Sequence, residues 1–154
     1  MTISMSTFKR LLLVFWTLWW LVAFLTDFIE GLQKIGVIPA TGLPLTNYPF
    51  LVKSLAPYHV PAFLPPVLYV GIITWSLLST LLFALAAMTP LQPATRWWHR
   101  ANMAFIVSLG LWLTFFLADQ IILNFDLEQN HMVQGGFQLL TFVAIHLLPD
   151  DRNE

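Results

Sequence analysis

The stretch LLLVFWTLWWLVAFLTDFIEGL, residues 11–32, decides the fold. It carries no charge before Asp27, and it is long enough to cross the hydrocarbon layer of a bilayer, which takes about 20 mostly apolar residues at about 1.5 Å each. Working outward, three further segments qualify as spans: about 66–88, about 101–123 and about 131–148. Pro65-Pro66 open the second where a missing N–H costs nothing, Pro90 and Pro93 stop it, and Pro149 stops the fourth. The basic pair Lys9-Arg10 ahead of the first run has the look of a signal peptide. No small-residue cleavage site follows and the apolar run outlasts a signal h-region, so an uncleaved anchor is expected.

Composition agrees. Of 154 residues, 58% are hydrophobic and 10% are charged, against about 25% charged in an ordinary soluble domain. A soluble domain of this size buries only about two-thirds of its surface, too little to hide so much apolar area. With 7 basic and 8 acidic residues there is no basic field for nucleic acid, and with no cysteine there is no disulfide, thiolate nucleophile or cysteine metal site. The expected fold is all-α: a polytopic membrane protein, one domain over 1–154, built as a four-transmembrane-helix bundle. An outer loop over about 33–65 holds or borders seven of the ten prolines. Within it, Tyr48 to Leu55 reads as a short interfacial helix that folds back as a cap.

Lysine and arginine in short loops set orientation. Lys9, Arg10, Arg96, Arg100 and Arg152 fall on one side, and Lys34 and Lys53 on the other, which puts both termini in the cytoplasm. The cluster Trp97-Trp98-His99-Arg100 is then expected at the inner interface, in the connection between the second and third spans.

An ionisable residue inside a span is costly and needs a reason. Asp27 lies about 24 Å from the inner border, with Glu30 a turn further, and Asp119 about 27 Å from the same border. Asp126, Glu128 and His131 follow in the short turn 124–130 and the start of the fourth span. Helical steps of three and four put Asp27 and Glu30 on one stripe above Trp16 and Trp20, and Asp119 above Trp112 and Phe115. On the fourth helix Gln134, Gln138, Thr141 and His146 extend a polar stripe inward from His131. The second helix adds a weakly polar face of Tyr69, Ser76, Ser79 and Thr80, suited to close packing. Asp27, Glu30, Asp119, Glu128 and His131 thus form the expected polar cluster at the outer end of the bundle.

Four uses of this cluster are open. Glu128 and His131 have Glu-x-x-His spacing and, with Asp27 and Glu30, could ligate a metal ion. Two histidines could hold haem b, with His146 and His99 or His131 and His59 as pairs. The carboxylates with Gln138, Thr141 and His146 could handle protons or ions. Or the acids knit helix ends together, with Asp27 paired to Lys34, Lys53 or His131 and Asp119 accepting from the outer loop, and no cofactor is present. That last use fits a scaffold or accessory subunit of a membrane complex, whose partners are the bilayer and other membrane proteins or further copies of the chain. No phosphate-binding glycine loop and no G-x-S-x-G elbow is present, which points away from an enzyme, and Gly135-Gly136 inside a span suits close packing.

The segments LWLTFFLADQIILNFDLEQNH (111–131) and FQLLTFVAIHLLPD (137–150) resemble uncharacterised bacterial families described as predicted small integral membrane proteins. The shared layout is four spans, a Pro-rich first loop and an acid near the outer end of the third span. The resemblance implies a bacterial inner membrane and no particular activity.

Overall fold

The computed structural model describes residues 4–91 and 93–149, so Arg152 of the charge count lies outside the described residues, as do Asp150, Asp151 and Glu154. Five α-helices form, with no strand among the described residues: α1 (Met5–Lys34), α2 (Asn47–Leu55), α3 (Leu64–Met88), α4 (Ala94–Ile121) and α5 (Phe125–Leu147), and a 3-10 turn at Ala56–Tyr58 follows α2. Three of them, α1, α3 and α4, are long and apolar enough to cross a membrane.

Helix ends differ from the hydropathy boundaries because capping, and not apolarity, sets them. The Ser4 side chain accepts from the Thr7 N–H at 3.2 Å, so α1 starts at Met5, ahead of the apolar run. Trp97, Trp98, His99 and Arg100, expected in a connection, lie in the first two turns of α4, which begins directly after Pro93. The turn expected over 124–130 is helical from Phe125, because the Asn124 side chain accepts from the Leu127 N–H at 3.2 Å. Asp126 and Glu128 consequently sit in the first turn of α5, where negative charge complements the helix dipole.

α1 packs on α3, α3 on α4 and α4 on α5. Large rings fill the wider gaps from α1 to α4 and α5: Trp20 lies 5.5 Å from Trp112, and Trp16 lies 5.8 Å from Phe137. Phe83 and Phe105, both fully buried, meet edge to face at 4.9 Å and join α3 to α4. Gly135 is a close-approach point, since a Cβ there would stand 2.9 Å from Cβ of Trp112.

Polarity is inverted relative to a soluble fold. Asp27, Glu30, Ser79, Ser108, Asp119 and Gln138 are buried, while Leu18, Val22, Ile106, Leu113 and Leu140 are each more than half exposed. Such a surface fits lipid, where a hydrocarbon exterior costs nothing and polar groups must pair inside.

Two ends can be distinguished. At the base, where α1 begins and α3 ends, Arg10 donates to the Thr89 carbonyl at 3.1 Å and Arg100 to the Thr89 hydroxyl at 2.9 Å. Two cations thereby sit at the C-cap of α3, on the negative end of its dipole. Lys9 is also buried there, its Nζ 5.1 Å above the Trp98 ring. At the opposite end α2 covers α1 and α3 as a lid.

Candidate functional site

The lid end contains two polar assemblies. The first is built on α1, where Asp27 and Glu30, three residues apart, share a face one turn deep. One oxygen of Glu30, Oε2, accepts from three donors: the Asn47 N–H at 3.0 Å, the Tyr48 N–H at 3.2 Å and the Tyr69 hydroxyl at 2.8 Å. The first two are orphan amides of the α2 N-terminus. Thr46, at the N-cap of α2, makes no side-chain capping bond, so a carboxylate from a different helix caps α2. Asp27 accepts from the Asn47 side-chain amide at 2.6 Å, and the Tyr69 hydroxyl also approaches the Asp27 carbonyl at 3.2 Å.

The pairing of Asp27 expected with Lys34, Lys53 or His131 is therefore replaced by Asn47. Lys34 instead lies over the Tyr48 ring, 5.5 Å from its centroid. An uncharged amide donor serves here because it reaches a buried acid without having to strip water from an ammonium.

The second assembly joins α4 to α5. His131 Nδ1 lies 2.6 Å from Asp119 Oδ2, and the imidazole stacks on Phe115 at 4.6 Å between centroids. Asp119 is buried and finds its partner on α5, not in the lid, which corrects the expected bond to the outer loop. Two turns further in, the Trp112 indole N–H donates to Gln138 Oε1 at 2.7 Å. Trp75 adds a donor bond to the Val107 carbonyl at 2.8 Å, tying α3 to α4.

The five clustered residues thus divide. Asp27 and Glu30 belong to the lid assembly, Asp119 and His131 to the α4–α5 assembly, and Glu128 accepts from Gln120 at 2.7 Å on the exposed side. No hydrogen bond or ion pair among the described residues joins the two assemblies, and no three His, Asp or Glu among them gather so as to hold a metal ion. Asp27 and Glu30 share Asn47 and Tyr69 as partners, whereas His131 and Glu128 have separate ones.

Of the inner stripe, Gln138 and Thr141 are buried, and Thr141 bonds back to the Phe137 carbonyl. Gln134 is half-buried and bonds Asn130 within its own helix, while His146 is exposed and packs between Trp98 and Phe142. The indole N–H groups of Trp16 and Trp20 and Nε2 of Gln138 are buried without a hydrogen-bond acceptor among the described residues, a surplus of donors in the middle of the bundle.

Asn47 and the clamp of Arg10 and Arg100 on Thr89 escape a reading by periodicity. Asn47 is in a connection with no repeat, and Thr89 looks like an ordinary turn residue before a proline. Comparison with protein-family models, with curated proteins and with solved structures yields no match.

Proposed function

We propose that the chain is an integral membrane protein of four spans that serves as a scaffold or accessory subunit in a membrane complex. The observation that carries this reading is the use of the buried acids as ties between elements: Asp27 and Glu30 hold the lid and α3, and Asp119 holds α5. An interior spent on such ties specifies one rigid shape, which is what a partner docks on. A shallow groove of about 430 Å³ on the lipid-facing side of α1, lined by Phe15, Leu18, Trp19, Val22 and Ala23, offers a seat for apolar side chains of a neighbouring helix.

α5 is the fourth span in this reading. It has 23 residues, buries Gln138 and Thr141, and turns Met132, Val133, Leu139, Leu140 and Val143 outward. Gln138 and Thr141 lower its hydropathy without facing lipid, the arrangement expected of a helix whose partners satisfy it. With Lys9, Arg10, Arg96 and Arg100 at the base and Lys34 and Lys53 at the lid end, the termini are cytoplasmic and the lid faces outward, in a bacterial inner membrane. Reporter fusions at both termini test the topology, and a periplasmic C-terminus would overturn it. A photo-crosslinking residue at Leu18 tests the scaffold role. The expected product is a covalent adduct with a second polypeptide in native membranes, and adducts with lipid alone would refute it.

One observation favours a second reading, proton handling at Asp119 and His131. The imidazole is 16% exposed, and its only hydrogen bond among the described residues is to Asp119. pH-dependent uptake in liposomes that Asp119→Asn abolishes would support this reading, and uptake unchanged by that substitution would remove it.

A further inference from the structure

A cleft of about 520 Å³ opens at the lid end, between the lid and the junction of α4 with α5. Its volume falls in the range of about 300–1,000 Å³ typical of small-ligand sites. Lys53 and Ser54 of α2 form one wall, and Asn124 and Asp126 the other, with Phe50 and Phe125 at the rim.

The walls are fixed in place. Tyr58 donates its hydroxyl to the Ile122 carbonyl, which pins the lid to the end of α4, and the α2 N-terminus is held by Glu30. Lys53 and Asp126 line the same cleft from opposite walls, yet neither forms an ion pair or a side-chain hydrogen bond among the described residues. Both side chains are exposed and leave their charges open to an occupant of the cleft. A group inserted between them meets a cation on one side and an anion on the other. A simple anion would be repelled by Asp126, and a simple cation by Lys53, whereas a dipolar group satisfies both.

The rim adds a second requirement. Phe50 is 46% exposed, Phe125 60% and Leu123 67%, so the cleft opens across apolar surface at the depth where the apolar helices end. An occupant must be charged with both signs at its head and apolar below.

We infer that this cleft binds a phosphodiester bearing a primary ammonium, presented by a lipid: the phosphate against Lys53 and Ser54, the ammonium against Asp126, and the acyl chains over Phe50, Leu123 and Phe125. The headgroup chemistry is that of phosphatidylethanolamine. The primary ammonium donates hydrogen bonds to a carboxylate, which a quaternary ammonium cannot do, and a glycerol headgroup leaves Asp126 without a counter-charge.

Native mass spectrometry of the full chain in detergent, with phosphatidylethanolamine, phosphatidylcholine or phosphatidylglycerol added, tests the assignment. One phosphatidylethanolamine should remain bound at activation energies that strip the other two, with at least a tenfold preference. Asp126→Asn should abolish the preference over phosphatidylcholine. Lys53→Gln should weaken retention of all three, and Lys53→Arg should restore it. Both positions are exposed and their side chains make no hydrogen bond or ion pair among the described residues, so an unchanged melting temperature in each variant confirms that the fold is intact. Equal retention of the three lipids, or a preference that survives both Asp126→Asn and Lys53→Gln, would overturn the assignment. Displacement of the lipid by soluble phosphoethanolamine at the same concentration would assign the cleft to a soluble ligand and overturn the lipid reading.

Discussion

His131 and Asp119 face each other across the α4–α5 interface with 2.6 Å between Nδ1 and Oδ2, and the imidazole is stacked on Phe115. A hydrogen-bonded pair of ionisable groups at this depth is strong only while both members remain, since deleting one leaves the other buried and unpartnered. His131→Gln and Asp119→Asn should each destabilise the protein by about 1–3 kcal/mol, with a double-mutant coupling of about 1 kcal/mol or more. Reversible unfolding in mixed micelles measures both, and a coupling near zero would show that the contact contributes nothing.

The two polar assemblies share no partner among the described residues, so their losses should add. Asp27→Asn combined with Asp119→Asn should give the sum of the single effects within about 0.5 kcal/mol. A larger deviation in the same unfolding assay would mean that the lid and the α4–α5 contact are coupled through the aromatic core.

Gly135 and Gly136 are adjacent in sequence and opposite in consequence. A methyl group at Gly135 would meet Trp112 and Phe116 at 2.9–3.0 Å, so Gly135→Ala should part α4 from α5 at a cost of about 1–3 kcal/mol. At Gly136 nothing lies within 4 Å, and Gly136→Ala should be neutral or stabilise the helix by up to about 1 kcal/mol. Melting temperatures of the two variants, compared side by side, decide the matter.

Glu30 holds the lid through a single oxygen. Glu30→Gln keeps the shape and removes the charge from three hydrogen bonds, for which a loss of about 1.5–3 kcal/mol is expected. The sensitive readout is hydrogen exchange at the Asn47 and Tyr48 amides, which should speed up while the exchange of α4 is unchanged. Tyr69→Phe removes one of the three bonds and should give a smaller acceleration at the same amides. Exchange unaltered in both variants would show that α2 stands without Glu30.

The apolar helices were legible in the sequence because lipid demands long uninterrupted runs, and the run over 11–32 is longer than the apolar region of a signal peptide. Helical steps also placed Asp27 with Glu30 and Gln138 with Thr141 on buried faces, since burial of a polar residue follows the same period as burial of an apolar one. Partner choice was not legible. Asp27 could have reached several cations by distance along the chain, yet Asn47 takes it because the lid happens to return that residue to the α1 face. The early start of α4 was hidden for a related reason, as Trp97 and Trp98 continue the helix ahead of the apolar run. In the cleft, Lys53 and Asp126 are 73 positions apart, and no local pattern connects them.

The capping of α2 by Glu30 bears on the order in which the chain assembles. A nine-residue helix lacks the length to persist alone in water, where about 12–15 residues are marginal even for good formers. Its stabilising anion is carried by α1 and oriented by Tyr69 of α3, so the lid has no helical structure of its own to contribute until those two helices have met. Helicity at residues 47–55 is therefore a late event in assembly, and an excised peptide covering them would be a coil.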